Sequence, residues 1–316
     1  MQQEKIIIDC DPGQDDAINL LLAMASPEEF DILGITAVAG NVPLALTQRN
    51  TRLICDLGGR NDLGVYAGCS KPMECDLLTA EYVHGETGID GMDVGDPVTP
   101  LQELHAVDYI IATLKAAEKE SVTLVPTGPL TNIGAAIEKD PTILAGVKRI
   151  VLMGGAMREG GNRTPSAEFN ILVDPRAAEI VFNCGRPITA MGLDVTHQVI
   201  ATGDRVKRIE ALANPAAMAT AGMLKFFNRH DTAKYGFDGA PLHDPCTIAW
   251  MLMPELFEGK ECNIAIETAS PLTMGHTAID FWGISGRDVN ATWIYSVDAD
   301  GFYDLLIDRL GRFGSG

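Results

Sequence analysis

Residues 6–17 read Ile6-Ile7-Ile8-Asp9-Cys10-Asp11-Pro12-Gly13-Gln14-Asp15-Asp16-Ala17. The three isoleucines form a short, wholly apolar run, which is typical of a strand buried on both faces of a parallel sheet. The apolar residues that follow Asp16, from Ile18 to Ala25, predict a helix that ends before Pro27. These residues therefore predict a buried strand, an acidic loop that turns at the Pro-Gly pair, and a helix.

The acidic loop places four aspartates within eight residues. Two unit charges about 5 Å apart repel each other by roughly 3 kcal/mol at an effective dielectric constant near 20, so a compact cluster must be solvated, partly protonated or neutralised by a cation. Asp11, Asp15 and Asp16 carry hard oxygen ligands, and the Pro12-Gly13 turn could direct all three toward one point. The loop is thus a candidate metal site.

The loop has other interpretations. Asp15 or Asp16 could cap the helix while the remaining carboxylates stay in water. Closely spaced aspartates also occur in phosphatases, which use an Asp-x-Asp motif as nucleophile. An EF-hand calcium loop is excluded, because the twelfth position counted from Asp9 is Leu20 instead of Glu.

The charge balance limits the class of ligand. The 316 residues include 24 Lys and Arg against 43 Asp and Glu, which gives a formal net charge of −19. Such a surface repels nucleic acids and anionic membranes, and it disfavours heavily phosphorylated substrates unless a metal intervenes. We therefore expect a neutral small molecule as ligand, with no nucleic-acid or membrane partner.

Cysteine usage and the apolar runs predict the compartment. The seven cysteines are scattered and include no C-x-x-C pair, which indicates reduced thiols instead of a disulfide framework or a zinc site. No signal peptide is predicted, since the run Ile6–Ile8 ends in acid after three residues, and no run approaches a membrane span of about eighteen residues. These features predict a soluble cytoplasmic protein.

Apolar strand-like runs alternate with helical patterns along most of the chain. This alternation predicts an α/β fold, with an open, mostly parallel central sheet flanked by helices, a Rossmann-like core, and a helical C-terminal region that caps the site. Ligands in such sheets bind beyond the carboxyl ends of the strands. The residues at the predicted strand ends are Asp11, Asn41, Thr127, Met153 and Asp194.

The stretch Asp9–Ala17 resembles the signature of the nucleoside hydrolases of the inosine–uridine type, which split N-ribosides with water. Four further blocks match this family in order, and they are Ala39-Gly40-Asn41, Pro126-Thr127-Gly128-Pro129-Leu130-Thr131-Asn132, Ala167-Glu168-Phe169-Asn170 and His243-Asp244. The phosphatase interpretation lacks its expected partner motifs. The resemblance covers most of the chain, and it implies a single nucleoside hydrolase-type catalytic domain over residues 1–316.

The resemblance implies a Ca²⁺ ion as cofactor. Its ligands would be Asp11, both oxygens of Asp16, the backbone carbonyl of Thr127 and Asp244, together with a water and the 2′- and 3′-hydroxyls of ribose. Calcium accepts up to about eight oxygen ligands in loose geometry, and no His or Cys spacing indicates a softer metal. Asp15 is implied to belong to the metal-binding set and to be the catalytic base that deprotonates the calcium-bound water.

The chemistry of the family gives roles to further matched residues. Cleavage of an N-glycosidic bond develops oxocarbenium character at the anomeric carbon and negative charge on the base. By resemblance, the sugar hydroxyls are held by Asn41, Asn162, Glu168 and Asn170, and Met153 and Phe169 are further substrate-binding candidates. Turn and cap chemistry is the alternative for the asparagines, and core packing is the alternative for Met153.

Two histidines are candidates for the base side of the substrate. His243 precedes the implied ligand Asp244, and we interpret it as the catalytic proton donor to the departing base, with a packing role as the alternative. His84, in the long segment 68–104, is either a leaving-group contact or a loop hydrogen bond. The histidines at 105, 197, 230 and 276 are interpreted as structural or surface residues, and a lid is expected around His230 to Phe237.

The three tryptophans at 250, 282 and 293 offer no obvious stacking pair of the kind found in purine-specific relatives, so His84 with His243 resembles the pyrimidine-leaning or non-specific members.

The resemblance thus implies calcium-dependent hydrolysis of the N-glycosidic bond of ribonucleosides, giving ribose and a free nucleobase in nucleoside salvage. Relatives form dimers or tetramers, so a homodimer or homotetramer is expected. The alternative is a non-catalytic, calcium-dependent ribose or nucleoside-binding protein, which should lack Asp15 or His243. Both are present, which favours the enzyme.

Overall fold

The computed structural model describes residues 3–92, 95–236 and 238–314, and for residues 230–235 it describes the backbone alone. Within these residues, the strands are β1 (Glu4–Cys10), β2 (Phe30–Ala37), β3 (Val65–Ala67), β4 (Leu101–Gln102), β5 (Val122–Pro126), β6 (Val147–Met153), β7 (Ile188–Met191), β8 (Phe257–Ile266), β9 (Thr277–Asp280) and β10 (Ala291–Val297). The α-helices are α1 (Gln14–Met24), α2 (Leu44–Leu57), α3 (Glu81–His84), α4 (Ala106–Ala116), α5 (Thr131–Lys139), α6 (Phe169–Val173), α7 (Pro175–Phe182), α8 (Leu193–Thr196), α9 (Gly203–Glu210), α10 (Pro215–Tyr235), α11 (Pro245–Leu252) and α12 (Ala299–Leu310).

The strands form one sheet in the order β4-β3-β2-β1-β5-β6-β7-β10-β8-β9. Every neighbouring pair from β4 to β10 is parallel, whereas β8 is antiparallel to β10 and β9 is antiparallel to β8. Helices flank this sheet. The prediction of an open, mostly parallel α/β sheet is confirmed.

Strand β1 pairs with β2 on one side and with β5 on the other. Ile6 and Ile8 pack into the core on one face of the sheet, and Ile7 packs into the core on the opposite face, since successive side chains of a strand point to opposite faces. All three are fully buried, and burial of each stabilises the fold by about 1.5–3 kcal/mol. The apolar run is therefore a strand buried on both faces, as predicted.

The order of the strands reverses at β1. Strands β2, β3 and β4 follow on one side, and β5, β6 and β7 follow on the other, so the loops after β1 and β5 diverge and leave a crevice beyond the strand ends. Asp11 follows β1 and Thr127 follows β5. The Thr127 N–H donates to the carbonyl of Asp9 at 2.8 Å, which holds the two loops together at this crevice.

Helix α1 begins at Gln14, earlier than the apolar pattern after Asp16 predicts. The N–H of Gly13, the N-cap residue, donates to Asp16 Oδ2 at 3.2 Å. A carboxylate in the first turn also interacts favourably with the partial positive charge at a helix N-terminus. Asp16 therefore caps the helix and remains one of the carboxylates of the acidic loop.

The remaining expectations concern the C-terminal third and the composition. The predicted break near Asn214-Pro215 is confirmed, because α9 ends at Glu210 and α10 begins at Pro215. Across the described ranges, the chain contains no helix long and apolar enough to cross a membrane. All seven cysteines are free thiols.

Candidate active site

Three buried carboxylates converge at the crevice: Asp15 and Asp16 in the first turn of α1, and Asp244 at the start of α11. One oxygen from each lies within 4.8 Å of one oxygen from each of the others. At that separation and an effective dielectric constant near 20, two ionised carboxylates repel by about 3 kcal/mol. Burial and the neighbouring Asp16 raise the pKa of Asp15 to about 7, and burial with Asp15 and Asp16 raises the pKa of Asp244 well above its usual range. Without a cation, this cluster resists full ionisation.

Asp11 lies outside this group of three but interacts with it electrostatically. Burial and the charge of Asp16 raise the pKa of Asp11 well above its usual range. Its Oδ2 accepts the N–H of Asn41 at 2.6 Å. The carboxyl passes so close to Gly40 and Gly128 that a Cβ atom on either would overlap it. Glycine is therefore required at both positions for the backbone to approach Asp11.

Two carboxylate oxygens at this site lack partners. Asp11 Oδ1 and Asp15 Oδ1 are buried, and neither has a hydrogen-bond partner among the described residues. Burial of an unpaired polar atom is unfavourable, and for a charged group the cost is larger still. Carboxylate oxygens are also the ligands that hard divalent cations prefer. The donor set of Asp11, Asp15, Asp16 and Asp244 therefore fits a bound divalent cation.

Thr127 contributes to the site through two groups. Its hydroxyl donates to Asp16 Oδ1 at 2.7 Å, which fixes that carboxylate. Its backbone carbonyl accepts the side-chain amide of Asn170 at 2.7 Å. A carbonyl oxygen has two lone pairs, so this hydrogen bond leaves one available to a cation.

Asp9, the first aspartate of the acidic stretch, does not join the converging carboxylates. Its Oδ1 accepts the hydroxyl of Thr36 at 2.5 Å and the side-chain amide of Asn132 at 2.8 Å. Burial raises its pKa to about 7. Asp9 thus ties β1 to β2 and to the start of α5 beneath the site, and it supports the loop that carries Asp11.

Asp15 and Asp244 line a cavity with an empty volume of about 690 Å³, its open mouth included. Sites for small molecules occupy about 300–1,000 Å³. The predicted site residues that line it are Asp15, Asn41, His84, Thr127, Met153, Asn162, Glu168, Phe169, Asn170, His243 and Asp244. Asp11 and Asp16 are fully buried. The fold therefore brings predicted residues from seven separate stretches of the sequence to one place.

One wall of the cavity is polar and comes from the segment between β6 and α6. Glu168 is the N-cap of α6 and accepts the N–H groups of Gly155 and Asn170, each at 3.0 Å. Burial raises its pKa to about 7 even though these N–H groups lower it. The Oδ1 of Asn162 accepts the N–H of Phe169 at 2.9 Å. These residues make structural hydrogen bonds and also line the cavity, so the predicted contact of the asparagines with the sugar stays a prediction that their structural role does not exclude.

The side-chain amide of Asn170 connects Met153 to this wall. Its Nδ2 donates to the carbonyl of Met153 at 3.2 Å and lies 3.4 Å from the sulfur of the same residue. Met153, at the end of β6, is 3% exposed and lines the cavity. It is therefore both a packed residue and a cavity residue.

A second part of the cavity lining is aromatic and includes Phe227, a residue that the sequence did not single out. The ring of His84 stacks on Phe227 of α10, with 5.4 Å between centroids and 23° between planes. Gln14 orients His84, since Gln14 Oε1 lies 2.7 Å from His84 Nδ1. Phe227 belongs to an ordinary apolar helix pattern, so only the tertiary structure reveals its place in the wall.

His243 and His197 also lie in this part of the cavity. Thr196 Oγ1 lies 2.7 Å from His243 Nδ1, and the rings of His197 and His243 are 5.8 Å apart. Burial and the neighbouring histidines His197 and His84 lower the pKa of His243 well below its ordinary value. In the free protein at pH 7, His243 is therefore neutral. His197 also lines the cavity, and its Nδ1 lies 3.1 Å from Glu159 Oε2, so the expectation that it is structural or a surface residue stays a prediction.

The other sequence expectations have mixed outcomes. His105 caps α4 by accepting the N–H of Val107, and His276 Nδ1 lies 3.0 Å from the carbonyl of Ser166, so both have structural contacts. The predicted lid around His230 to Phe237 falls on side chains outside the described residues. Within the described part of the chain, no tryptophan lines the cavity.

Comparisons with known proteins identify the family of this chain. The model of the family described as inosine-uridine preferring nucleoside hydrolase matches residues 6–304. A pyrimidine-specific ribonucleoside hydrolase, RihA of Shewanella sp. (strain ANA-3), is 49% identical over 309 residues, which cover 98% of this chain and 96% of the relative.

Solved structures with this fold include two similar enzymes. A plant nucleoside hydrolase, PpNRh1, superimposes with a TM-score of 0.92 at 30% identity and covers 98% of this chain and 99% of its own. A purine-preferring ribonucleoside hydrolase from Gardnerella vaginalis gives a TM-score of 0.90 at 34% identity, with 98% of each chain covered. The chain therefore belongs to the inosine–uridine preferring nucleoside hydrolase family, whose enzymes hydrolyse N-glycosyl bonds of ribonucleosides.

Proposed function

We propose that this enzyme is a calcium-dependent ribonucleoside hydrolase that prefers pyrimidine ribonucleosides and gives ribose and a free nucleobase. One observation carries the proposal: Asp15, Asp16 and Asp244 converge where a cavity with one polar and one aromatic wall meets the strand ends. A ribonucleoside has the matching parts, since its sugar is rich in hydroxyls and its base is flat and aromatic.

The ion would be held by Asp11, Asp15, Asp16, Asp244 and the backbone carbonyl of Thr127. These oxygens come from loops and helix starts, and this irregular set suits calcium, which accepts about six to eight oxygens, better than magnesium, which demands an octahedron. When bound, the ion supplies Lewis acidity that lowers the pKa of a water, and it offers coordination positions to the vicinal hydroxyls of ribose.

Asp15 is proposed to be the general base. It lines the cavity, and its Oδ1 has no hydrogen-bond partner among the described residues. In this role Asp15 removes a proton from the water whose oxygen adds to the anomeric carbon as the C–N bond breaks. Asp15 must be ionised for this step, and a nearby cation lowers the pKa of a carboxylate.

The two walls are proposed to bind the two halves of the substrate. Asn41, Asn162, Glu168 and Asn170 would hold the sugar hydroxyls, with Met153 and Phe169 packed beside them. His84 would contact the base through its ring, which stacks on Phe227. His243 would donate a proton or a hydrogen bond from a ring nitrogen to the departing base, which stabilises the charge that develops there.

The preference for pyrimidines is supported by the relatives and by the aromatic wall. The RihA relative is named as pyrimidine-specific, and it covers nearly the whole chain. Among the described residues that line the cavity, the aromatic and heteroaromatic side chains are histidines, phenylalanines and a tyrosine, with no tryptophan. This smaller stacking surface suits a single-ring base.

We also propose one catalytic domain, a cytoplasmic location, a role in nucleoside salvage, and a homodimer or homotetramer. The single sheet supports one catalytic domain, and the seven free thiols support a cytoplasmic location. Exposed apolar side chains on the loop between β9 and β10 support oligomerisation: Trp282, Ile284 and Val289 are 75%, 89% and 60% exposed. A monomeric mass in solution would contradict the last point.

A panel of ribonucleosides assayed for free ribose tests the activity, with Asp15→Asn as the diagnostic variant. This change keeps the shape of the side chain but removes the base, so kcat should fall by about 10²–10⁴-fold while substrate binding is less affected. Asp96→Asn is the matched control, because the side chain of Asp96 is fully exposed. Near-normal turnover in Asp15→Asn would assign the base to another residue.

A further inference from the structure

Thr196, the last residue of α8, makes a hydrogen bond to which the proposed function gives no role. Its side chain is fully buried and does not line the cavity. Its Oγ1 lies 2.7 Å from Nδ1 of His243, which does line the cavity. Among the described residues, this is the one hydrogen bond of the Thr196 hydroxyl. A helical threonine commonly bonds to a carbonyl of the preceding turn instead, so the contact with the ring distinguishes Thr196.

The backbone holds Thr196 and His243 in fixed positions relative to each other. The Val199 N–H donates to the Thr196 carbonyl at 3.0 Å, and the Leu242 N–H donates to the Val199 carbonyl at 2.9 Å. Leu242 directly precedes His243 in the chain. Two backbone hydrogen bonds therefore connect the two residues without the help of any side chain, and the contact between hydroxyl and ring is preorganised.

The buried hydroxyl also decides which ring nitrogen carries the hydrogen in the neutral form of His243. A neutral imidazole has one N–H donor and one acceptor nitrogen. With the hydrogen on Nδ1, the ring would donate to Thr196 Oγ1, and the hydroxyl hydrogen would be buried without an acceptor among the described residues. With the hydrogen on Nε2, the hydroxyl donates to Nδ1. Burial of an unpaired donor is unfavourable, so the Nε2–H tautomer is preferred.

The same contact leaves Nε2 as the nitrogen that can reach a ligand. The hydrogen bonds of the described residues include His243 Nδ1 but not Nε2. Because Thr196 lies outside the cavity lining and His243 belongs to it, the nitrogen that does not face Thr196 is available to a molecule in the cavity. Negative charge develops on the base as its bond to C1′ breaks, and an N–H aimed at this charge stabilises it.

We propose that Thr196 is a positioning residue for departure of the base: its hydroxyl donates to His243 Nδ1 and thereby holds Nε2–H toward the base. This inference rests on the proposed function. Thr196 acts only through His243, so its loss should affect substrates that need help with the leaving group and spare those that do not.

Nitrogen-15 NMR of the histidine side chains tests the tautomer in the calcium-loaded wild-type protein, at a pH where the ring of His243 is neutral. We expect Nδ1 to show the chemical shift of an acceptor nitrogen and Nε2 that of an N–H. Loss of the signals in His243→Ala assigns them. An Nδ1–H ring in the wild type would overturn the inference, and this measurement decides the point even if a variant of Thr196 does not fold.

Thr196→Val removes the hydroxyl and nearly keeps the shape of the side chain. We expect kcat for uridine to fall about tenfold with KM little changed, because the ring loses the contact that orients it. A riboside of 4-nitrophenolate should react at close to the wild-type rate, since its leaving group is already stable as an anion. Thr196→Ser keeps the hydroxyl and should restore most of kcat for uridine.

Thr220→Val is the matched control. Thr220 is also fully buried, does not line the cavity, and has a hydroxyl without a hydrogen-bond partner in the described part of the chain. The same chemical change there should leave kcat for both substrates at the wild-type value.

The outcomes separate this inference from the proposed function. Equal losses on both substrates in Thr196→Val, full activity of that variant on uridine, or failure of Thr196→Ser to restore kcat would overturn the inference and leave the proposed function intact. Absence of hydrolysis of every ribonucleoside by the wild type would overturn the proposed function, and the inference with it.

Discussion

Gln14 holds His84 through both ends of its side-chain amide: Nε2 donates to the His84 carbonyl at 2.9 Å, and Oε1 lies 2.7 Å from His84 Nδ1. Nε2 also donates to the carbonyl of Asp90 at 3.2 Å. Because both backbone groups are acceptors, the orientation of the amide is determined, and Oε1 accepts the proton of Nδ1. Gln14 thus connects the acidic loop to the segment that carries His84 and fixes the tautomer of the ring.

Gln14→Ala should lower kcat/KM by about tenfold, because His84 loses the acceptor that orients it. The buried carbonyl of His84 and the partly buried carbonyl of Asp90 also lose their donor, so the free energy of unfolding should fall by about 1–3 kcal/mol. Steady-state kinetics and urea unfolding measure the two effects. Gln48→Ala is the matched control, since the amide of Gln48 donates to the Ala45 carbonyl within its own helix. Unchanged kinetics in Gln14→Ala would contradict the positioning role.

Removal of the cation should inactivate and destabilise the enzyme. Exhaustive chelation should abolish hydrolysis, and Ca²⁺ at about 100 times its Kd should restore it and raise the free energy of unfolding by about 2.7 kcal/mol. Asp16→Ala should lose both ion binding and activity, whereas Asp96→Ala, which alters a fully exposed side chain, should keep both. Calorimetric titration with Ca²⁺ measures binding directly. Full activity of the chelated protein would contradict the role of the cluster.

Glu168 predicts a dependence of stability on pH. Burial raises its pKa to about 7 from the ordinary 4.5, so the folded protein retains a proton that the unfolded chain releases. The stabilisation from this proton is complete below pH 4.5 and is lost as the pH rises through about 7. Between pH 5 and pH 8, the wild type should lose about 2–3 kcal/mol of unfolding free energy relative to Glu168→Gln. Urea unfolding at both pH values measures this, and parallel losses in the two proteins would mean that the N–H groups keep Glu168 ionised.

The residues that the sequence predicted correctly carry local signals. The apolar run Ile6–Ile8 predicts a buried strand. The acidic residues that follow predict a site, because closely spaced carboxylates repel one another unless a cation, a proton or solvent offsets their charge. Five matching blocks then place Asp15, Thr127 and Asp244 in one site before any contact is known.

The residues that the sequence missed depend on contacts between distant segments. Phe227 lies in an apolar helix pattern, and nothing local distinguishes a side chain that stacks on His84 from one that packs in the core. His197 and Arg163, which also line the cavity, stand outside the quoted motifs for the same reason. Asp9 is the opposite case: it belongs to the motif, but its hydrogen bonds with Thr36 and Asn132 keep it out of the group of converging carboxylates.

A variant of His243 can separate protonation of the leaving base from activation of the sugar. If His243 supplies a proton to the base, His243→Ala should slow uridine hydrolysis by about 10²–10⁴-fold. A riboside of 4-nitrophenolate needs no such proton, so it should react at close to the wild-type rate. His105→Ala, which alters a helix cap that does not line the cavity, is the control. Equal losses on both substrates would instead show that His243, held by Thr196 and adjacent to Asp244, supports the carboxylate cluster.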